Sequence, residues 1–125
     1  MNVPGSSARR RVLIADNSAD LAQALVEIIG SDAQLEVVGY VLSGAAALER
    51  ARQDVDVLVL DLGLPDYSGF EVLERLQAEC PSLKVIIYTG HSSTELAAHA
   101  RRKGAAACIL KDGTFEVLLA AIRSA

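Results

Sequence analysis

The sequence has little of three features that identify whole classes of protein: cysteine, long apolar runs and clustered positive charge. Its two cysteines, Cys80 and Cys108, lie far apart without the spacing of metal ligands, so we expect reduced thiols with structural roles. No apolar run approaches the ~18 residues needed to cross a bilayer, and Met1–Ala8 lacks the apolar core of a secretory signal. We therefore expect a cytoplasmic protein with no membrane segment.

Positive charge is too scarce for a nucleic-acid-binding surface. The formal net charge is -4, whereas contacts to phosphate groups require clustered Lys and Arg. We therefore expect no direct nucleic-acid binding by this chain. The first predicted strand is also not followed by a loop rich in Gly, Ser and Thr, which argues against a small flavodoxin-like protein that binds a phosphate group there.

The remaining composition suits a single domain. The 125 residues are 51% hydrophobic, and a domain of this size buries about two-thirds of its unfolded surface. Residues 1–10 carry Pro, Gly and Ser without hydrophobic periodicity. We therefore expect a flexible tail, followed by one domain over residues 11–125.

Five short apolar segments alternate with five amphipathic segments along the chain, and the first and last predicted strands cover residues 12–15 and 105–110. The clearest apolar segment, residues 57–60, is a run of Val and Leu that indicates a strand buried on both faces. Such alternation predicts parallel strands joined by right-handed helical crossovers. We predict an α/β fold: a flavodoxin-like, doubly wound five-stranded parallel sheet of order 2-1-3-4-5, with five helices.

Two of the predicted helices have features of their own. Ser68 and Glu71 form a capping box, in which each side chain accepts a hydrogen bond from a free N–H group at the helix start. The helix predicted over residues 93–103 has mostly small side chains, so we expect it to be shallowly packed and comparatively mobile.

Polar residues follow the apolar segments where the predicted strands end. In a sheet of this order the strand ends surround one crevice, which is where open α/β sheets bind ligands. Asp is common in turns, and for a single Asp a purely structural role is the more frequent one. Here, however, five polar residues are predicted to converge: Asp16, Asn17, Asp61, Thr89 and Lys111.

These side chains suit phosphoryl transfer. Neighbouring carboxylates repel unless a hard cation lies among them, and Mg²⁺ typically binds one or two carboxylates together with a phosphate oxygen. A lysine and a hydroxyl group opposite them suit an anion beside the metal. Because an Asp carboxylate can accept a phosphoryl group covalently, Asp61 at the end of the central strand is the candidate acceptor.

The chain resembles the response-regulator receiver domains of two-component signalling over residues 11 to about 124. The resemblance rests on four motifs, each at the end of the appropriate strand: Val12-Leu13-Ile14-Ala15-Asp16, Asp61-x-x-Leu64-Pro65-x-x-x-Gly69, Thr89 and Lys111. Residues 111–122 are most similar to receivers that precede a helix-turn-helix output domain.

The resemblance implies a signalling switch and not an enzyme. Asp61 would accept a phosphoryl group from a sensor histidine kinase or a phosphotransfer protein. Mg²⁺ would be bound by Asp16, Asn17, Asp61 and the backbone carbonyl group of Gly63. Thr89 and Lys111 would stabilise the phosphoryl group. The partners would include an output domain or partner protein, and a homodimer is possible.

Two positions depart from the family pattern. Asn17 replaces an acid that usually touches the metal, and we expect this to weaken Mg²⁺ binding by roughly 1–3 kcal/mol. Cys108 replaces the usual Tyr or Phe that acts with Thr89 as the switch, and simple filling of the core explains it better than a redox role. These departures leave one alternative open, a pseudo-receiver that acts as a phosphorylation-independent interaction module. His91, predicted near the mouth of the site, is by default an exposed loop residue.

Overall fold

A computed structural model of the chain describes residues 9–91, 93–112 and 114–125. The predicted tail falls mostly on residues 1–8, which lie outside the described residues. Strand β1 begins at Arg10, inside the predicted tail, because the Arg10 N–H group donates to the Gln34 carbonyl oxygen at 3.1 Å.

Strands and helices alternate along the chain, as predicted. The strands are β1 (Arg10–Ala15), β2 (Leu35–Val41), β3 (Val57–Leu60), β4 (Lys84–Thr89) and β5 (Ala107–Leu110). The helices are α1 (Ala19–Gly30), α2 (Gly44–Arg50), α3 (Gly69–Glu79), α4 (Thr94–Arg102) and α5 (Phe115–Ser124). All strand pairs are parallel and the sheet order is β2-β1-β3-β4-β5, which confirms the predicted topology.

The sheet has an apolar layer on each face, because successive side chains of a strand point to opposite faces. In β3, Val57 and Val59 pack with α1 and α5, whereas Leu58 and Leu60 pack with α2, α3 and α4. All four side chains are buried. A strand buried on both faces therefore reads as a continuous apolar run, which is why residues 57–60 were recognisable in the sequence.

Serine side chains cap four of the helices. The hydroxyl groups of Ser18, Ser43, Ser68 and Ser93 each accept a hydrogen bond from the backbone N–H group three residues further on. The Ser68 part of the predicted capping box is thus present. The Glu71 carboxylate, by contrast, lies 3.4 Å from the Arg75 guanidinium one turn further along α3.

Helix α4 is shallowly packed, as its small side chains predicted. Ala100 is the buried residue of this helix. The Ala105 N–H group donates back to the Ala100 carbonyl oxygen at 3.0 Å and so closes the end of α4. This bond explains why β5 begins at Ala107 and not at Ala105, where the sequence pattern predicted its start.

Among the described residues, no helix has the length and apolar character needed to span a membrane.

Candidate functional site

The carboxyl ends of four strands meet at one edge of the sheet. Ala15 pairs with Leu60, so β1 and β3 end at the same level. Leu60 pairs with Ile87, and β4 continues from there to Thr89. Thr89 pairs with Leu110, which brings the end of β5 to this edge as well. The residues that end or follow these strands therefore come together: Asp16, Asp61, Thr89 and Lys111.

Lys111 connects the two buried carboxylates of the site. Its Nζ lies 2.7 Å from Asp16 Oδ2 and 3.5 Å from Asp61 Oδ1. Asp16 is 2% exposed and Asp61 is 7% exposed. Two carboxylates and one ammonium group leave a formal charge of -1 in a place that is largely removed from water. Such a site attracts a further cation.

Backbone groups hold the Asp61 carboxylate in place. The Gly63 N–H group donates to Asp61 Oδ1 at 3.1 Å, and the Asn17 N–H group donates to Asp61 Oδ2 at 3.4 Å. Asn17 was predicted to act through its side chain, which is exposed at the rim of the site, and Gly63 through its carbonyl group. Both residues do line the site, and the contacts that they make with Asp61 are through their N–H groups.

Thr89, the last residue of β4, also lines the site and is 3% exposed. Its Oγ1 accepts a hydrogen bond from the His91 N–H group at 3.2 Å, and its carbonyl oxygen accepts one from the Lys111 N–H group at 2.7 Å. These bonds tie the end of β4 to the end of β5. The exposed residue His91 lies at the rim of the same site, where the sequence predicted it.

A cleft of about 490 Å³ opens above Asp61. Its lining includes all the predicted polar residues except Asp16, which lies beneath it, and it includes Leu62 and Leu96, which sequence analysis did not identify. Leu96 belongs to the first turn of α4. The signal that could have found it is its position, because the helix that follows β4 must begin beside the crevice.

Gly69 brings the start of α3 against the segment that carries Asp61. A Cβ atom at Gly69 would lie 2.7 Å from Leu62 Cα and 2.8 Å from the Asp61 carbonyl oxygen, so no larger residue fits without a backbone shift. The Gly69 N–H group donates to the Leu62 carbonyl oxygen at 3.1 Å. Loop 61–69, which joins β3 to α3 and ends at the first residue of that helix, is therefore closed at its base by Gly69.

Cys108, the predicted switch residue, is half-buried among the apolar residues of the α4 side of the sheet. It pairs with Ile87 in the middle of β4 and is absent from the described lining of the cleft. Burial raises the pKa of the Cys108 thiol, although Arg101 opposes this shift. The thiol is therefore neutral near pH 7, which agrees with a packing role.

Within residues 9–91, 93–112 and 114–125, no group of three or more His, Cys, Asp and Glu side chains could together hold a metal ion. The site has two carboxylates, those of Asp16 and Asp61, and the residue that follows Asp16 is the uncharged Asn17. A cation that binds here would therefore depend on amide, carbonyl, water or phosphate oxygens as well as on the two carboxylates.

Two curated proteins are similar in sequence to most of this chain. The DNA-binding transcriptional activator DevR/DosR of Mycobacterium tuberculosis is 35% identical over 103 residues, which are 82% of this chain and 48% of that protein. The protein-glutamate methylesterase/protein-glutamine glutaminase 2 of Rhodospirillum rubrum is 37% identical over 114 residues, 87% of this chain and 31% of that protein. The chain thus spans half or less of the length of these relatives.

Solved structures of response regulator domains superpose on this chain. The response regulator domain of Thermotoga maritima CheB superposes with a TM-score of 0.86 at 29% identity, over 94% of this chain and 96% of that one. The BeF3-activated DrrB receiver domain gives a TM-score of 0.81 at 26% identity, over 93% of this chain and 96% of that one. The family model of the response regulator receiver domain matches residues 12–123. With this match, and with a five-stranded sheet of the same order, the chain belongs to the response regulator receiver domains.

Proposed function

We propose that this receiver domain accepts a phosphoryl group on Asp61 from a phosphohistidine of a sensor histidine kinase or phosphotransfer protein. The observation that carries the proposal is the position of Lys111 Nζ, within 3.5 Å of Asp61 Oδ1 and 2.7 Å of Asp16 Oδ2. A lysine in this place partly neutralises the negative charges of both Asp16 and Asp61. Little else is required for phosphoryl transfer than positioning and charge neutralisation.

The reaction is a substitution at phosphorus. An Asp61 carboxylate oxygen forms the new P–O bond while the P–N bond of the phosphohistidine breaks, and the histidine nitrogen keeps the bonding electron pair and takes up a proton. The Gly63 N–H group fixes the orientation of the carboxylate. Lys111 and the Thr89 hydroxyl group, on the opposite side of the cleft, are placed to pair with the oxygens of the transferred group.

The oxygen donors of the site fit Mg²⁺. Asp16, Asp61, the Asn17 amide oxygen and the Gly63 carbonyl oxygen would hold the ion, and the bound ion would neutralise charge on the phosphoryl oxygens. The fit rests on the buried charge of -1 that Lys111 leaves uncompensated. Lys111 already contacts Asp16 closely, so its ammonium group would compete with a divalent ion for this carboxylate.

The phosphorylated domain would act through an output domain or a partner protein. DevR/DosR is named as a DNA-binding activator and the Rhodospirillum rubrum relative as a methylesterase, and both extend well beyond the matched region. Activities of these kinds would belong to an attached domain or to a partner. We propose no turnover reaction and no nucleic-acid contact for this chain itself.

Incubation with a small-molecule phosphodonor and Mg²⁺, followed by intact-mass measurement, tests the proposal. We expect the mass to rise by one phosphoryl group, and we expect no such rise for Asp61→Asn. The matched control is Asp112→Asn, which removes an exposed carboxylate beside Lys111 and should leave labelling unchanged. Undiminished labelling of Asp61→Asn, or a phosphoryl group on another residue, would show that Asp61 is not the acceptor.

A second function, phosphorylation-independent binding of a partner, is favoured by Asn17. Without the second acid beside Asp16, the site has less charge for a divalent ion. This function predicts no labelling of the wild-type protein at Mg²⁺ concentrations that support labelling of Asn17→Asp. The same mass measurement on the two proteins therefore separates the two functions.

A further inference from the structure

Helix α4 is held against α3 by a row of three contacts. The rings of Phe70 and His99 meet edge to face, with centroids 4.7 Å apart and planes at 76°. One turn further along α3, the Glu74 carboxylate lies 2.6 Å from Lys103 Nζ. Beyond this ion pair, Gly104 lies so close to Gln77 that a Cβ atom there would be 2.7 Å from Gln77 Cγ.

The first of these contacts begins next to the segment that carries Asp61. Phe70 follows Gly69, whose N–H group is bonded to the Leu62 carbonyl oxygen and whose Cα packs against Asp61 and Leu62 without room for a Cβ atom. A displacement of the Asp61 backbone must therefore displace Gly69, and the Phe70 ring moves with it. Phe70, the first residue after loop 61–69, thus links the loop to α4.

Helix α4 faces both the cleft and Phe70 with one side. Leu96, His99 and Lys103 are spaced by three and four residues, so they lie on the same face of the helix. Leu96 lines the cleft above Asp61, His99 contacts Phe70, and Lys103 pairs with Glu74. Any shift of α4 that closes or opens the cleft at Leu96 must also change the contact at His99.

We propose that the Phe70–His99 contact couples loop 61–69 to helix α4, so that a local opening of one segment promotes opening of the other. The coupling itself is a property of the unphosphorylated protein, whereas its use in signalling rests on the proposed function. The small side chain of Cys108 supplies no aromatic group on β5, and the aromatic contact of α4 is with α3 instead. Phe70 and His99 are positioning residues, because neither contacts the reacting atoms.

The coupling is tested first in the unphosphorylated protein, by NMR-detected amide exchange. An edge-to-face aromatic pair contributes enough for its loss to change local opening about fivefold. We expect His99→Gln to speed exchange of the Gly69 amide about fivefold, although residue 99 lies on another helix. Phe70→Leu should speed exchange across α4 to a similar extent. Exchange in the double variant should be little faster than in either single variant, since both substitutions remove the same contact.

Lys103→Gln is the matched control, because it breaks the ion pair with Glu74 on the same face of α4. We expect it to speed exchange in the last turn of α4 and to leave the Gly69 amide unchanged. If His99→Gln also leaves Gly69 unchanged, or if Lys103→Gln affects Gly69 equally, the proposed role of the Phe70–His99 contact is wrong. His99→Gln alone decides the point if Phe70→Leu does not fold.

The second arm adds beryllofluoride and Mg²⁺ as a phosphoryl mimic. In the wild-type protein we expect greater protection of residues 94–102, and we expect this gain to fall about fivefold in His99→Gln, with beryllofluoride affinity reduced less. A full gain in His99→Gln would overturn the use of the contact in signalling. If beryllofluoride alters no amide around Asp61 in the wild type, the proposed function fails, and the Gly69 measurement still judges the coupling.

Discussion

At the scale of single residues, the site is organised by the unequal contacts of Lys111. The ammonium group is 0.8 Å closer to Asp16 than to Asp61, by the difference of 3.5 and 2.7 Å. Lys111 therefore balances Asp16 in the unphosphorylated protein and leaves Asp61 less fully paired. We expect this arrangement to leave the carboxylate of Asp61 available and to make Lys111 compete with a bound cation for Asp16.

Replacement of Lys111 by Met should lower the free energy of unfolding by about 2 kcal/mol, since it leaves two buried carboxylates without a counter-charge. The loss is smaller than for a fully buried pair, because the Lys111 side chain is 18% exposed. Mg²⁺ should stabilise this variant more than it stabilises the wild type, because the competing ammonium group is gone. Urea unfolding with and without Mg²⁺ measures both effects.

The control for this prediction is Lys103→Met. Lys103 also pairs with a carboxylate, that of Glu74, but its side chain is 37% exposed and thus more exposed than that of Lys111. This substitution should cost under about 1 kcal/mol and should not change the effect of Mg²⁺. An equal effect of Mg²⁺ on Lys111→Met and on the wild type would mean that the ion does not compete with Lys111 for Asp16.

Asn17→Asp should tighten Mg²⁺ binding about tenfold, since it restores a charge at the rim of a site that has two other carboxylates. Without metal, the added repulsion should lower the stability, but by less than about 1 kcal/mol because Asn17 is exposed. Isothermal titration calorimetry gives the affinity. Equal affinities of the two proteins would mean that side chain 17 does not reach the metal.

The polar residues of the site could be predicted from the sequence because each follows directly on a strand, and strand ends in a parallel sheet meet at one edge. Leu62 and Leu96 could not be predicted in the same way. Their side chains reach the cleft only because of the path of loop 61–69 and the rotation of α4 about its axis. Neither of these is encoded in a short motif.

At the scale of elements, loop 61–69 also supports the start of helix α2. The Asp66 carboxylate accepts hydrogen bonds from the N–H groups of Gly44 at 2.6 Å and Ala45 at 2.9 Å, in the first turn of α2. These bonds complement the positive end of the helix dipole. They give the loop two anchors, Gly69 at one end and Asp66 in its middle.

Asp66→Ala should therefore lower the thermal unfolding midpoint at pH 7. Hydrogen bonds from Ala45 and Gly44 hold the pKa of the Asp66 carboxyl below its usual range. A carboxyl whose pKa is lower in the folded state stabilises the protein above its unfolded pKa of about 3.9, and this contribution is lost as the pH falls through the folded value. The difference between variant and wild type should thus shrink on acidification below about pH 4.

Thermal unfolding over a series of pH values, monitored by circular dichroism, tests this dependence. Glu27→Ala is a suitable control, because Glu27 is an exposed acid on α1 at a distance from the loop. It should change the midpoint little at any pH. A deficit of Asp66→Ala that stays constant from pH 7 to pH 3 would show that the carboxylate does not act through its charged form.

Element boundaries were less accessible to prediction than element types. The start of β5 was placed two residues early, because Ala105 and Ala106 continue an apolar run although the Ala105 N–H group belongs to the end of α4. The start of β1 was placed two residues late, because Arg10 and Arg11 are charged although the backbone of Arg10 pairs with the start of β2. In both cases a backbone hydrogen bond outweighed the character of the side chain.

At the scale of the whole molecule, stability is distributed unevenly. The central strands β1, β3 and β4 are covered on both faces by helices and consist largely of fully buried side chains. At one side of the sheet, β5 is half-buried throughout and α4 contributes one buried side chain, that of Ala100. The cleft therefore lies between a rigid centre and a loosely held side.

This distribution predicts where the domain moves. Local opening requires the least free energy where few apolar contacts are lost. In native-state hydrogen exchange of the unphosphorylated protein, we expect the amides of α4 to exchange fastest among the helices and those of β3 slowest among all elements. With a phosphoryl mimic bound, protection should increase most in residues 89–91 and 94–102, because Thr89 and Leu96 both face the cleft.

Strand β5 should change less, because Cys108 is too small to carry a ring between an exposed and a buried position. A ligand shifts an equilibrium only by its differential interaction with the two states, so the absence of that ring removes one source of difference. Asp61→Asn is the control, and its exchange should not respond to the mimic. Protection centred on residues 107–110, with α4 unchanged, would show that the domain responds through β5 and that the loose packing of α4 has no part in it.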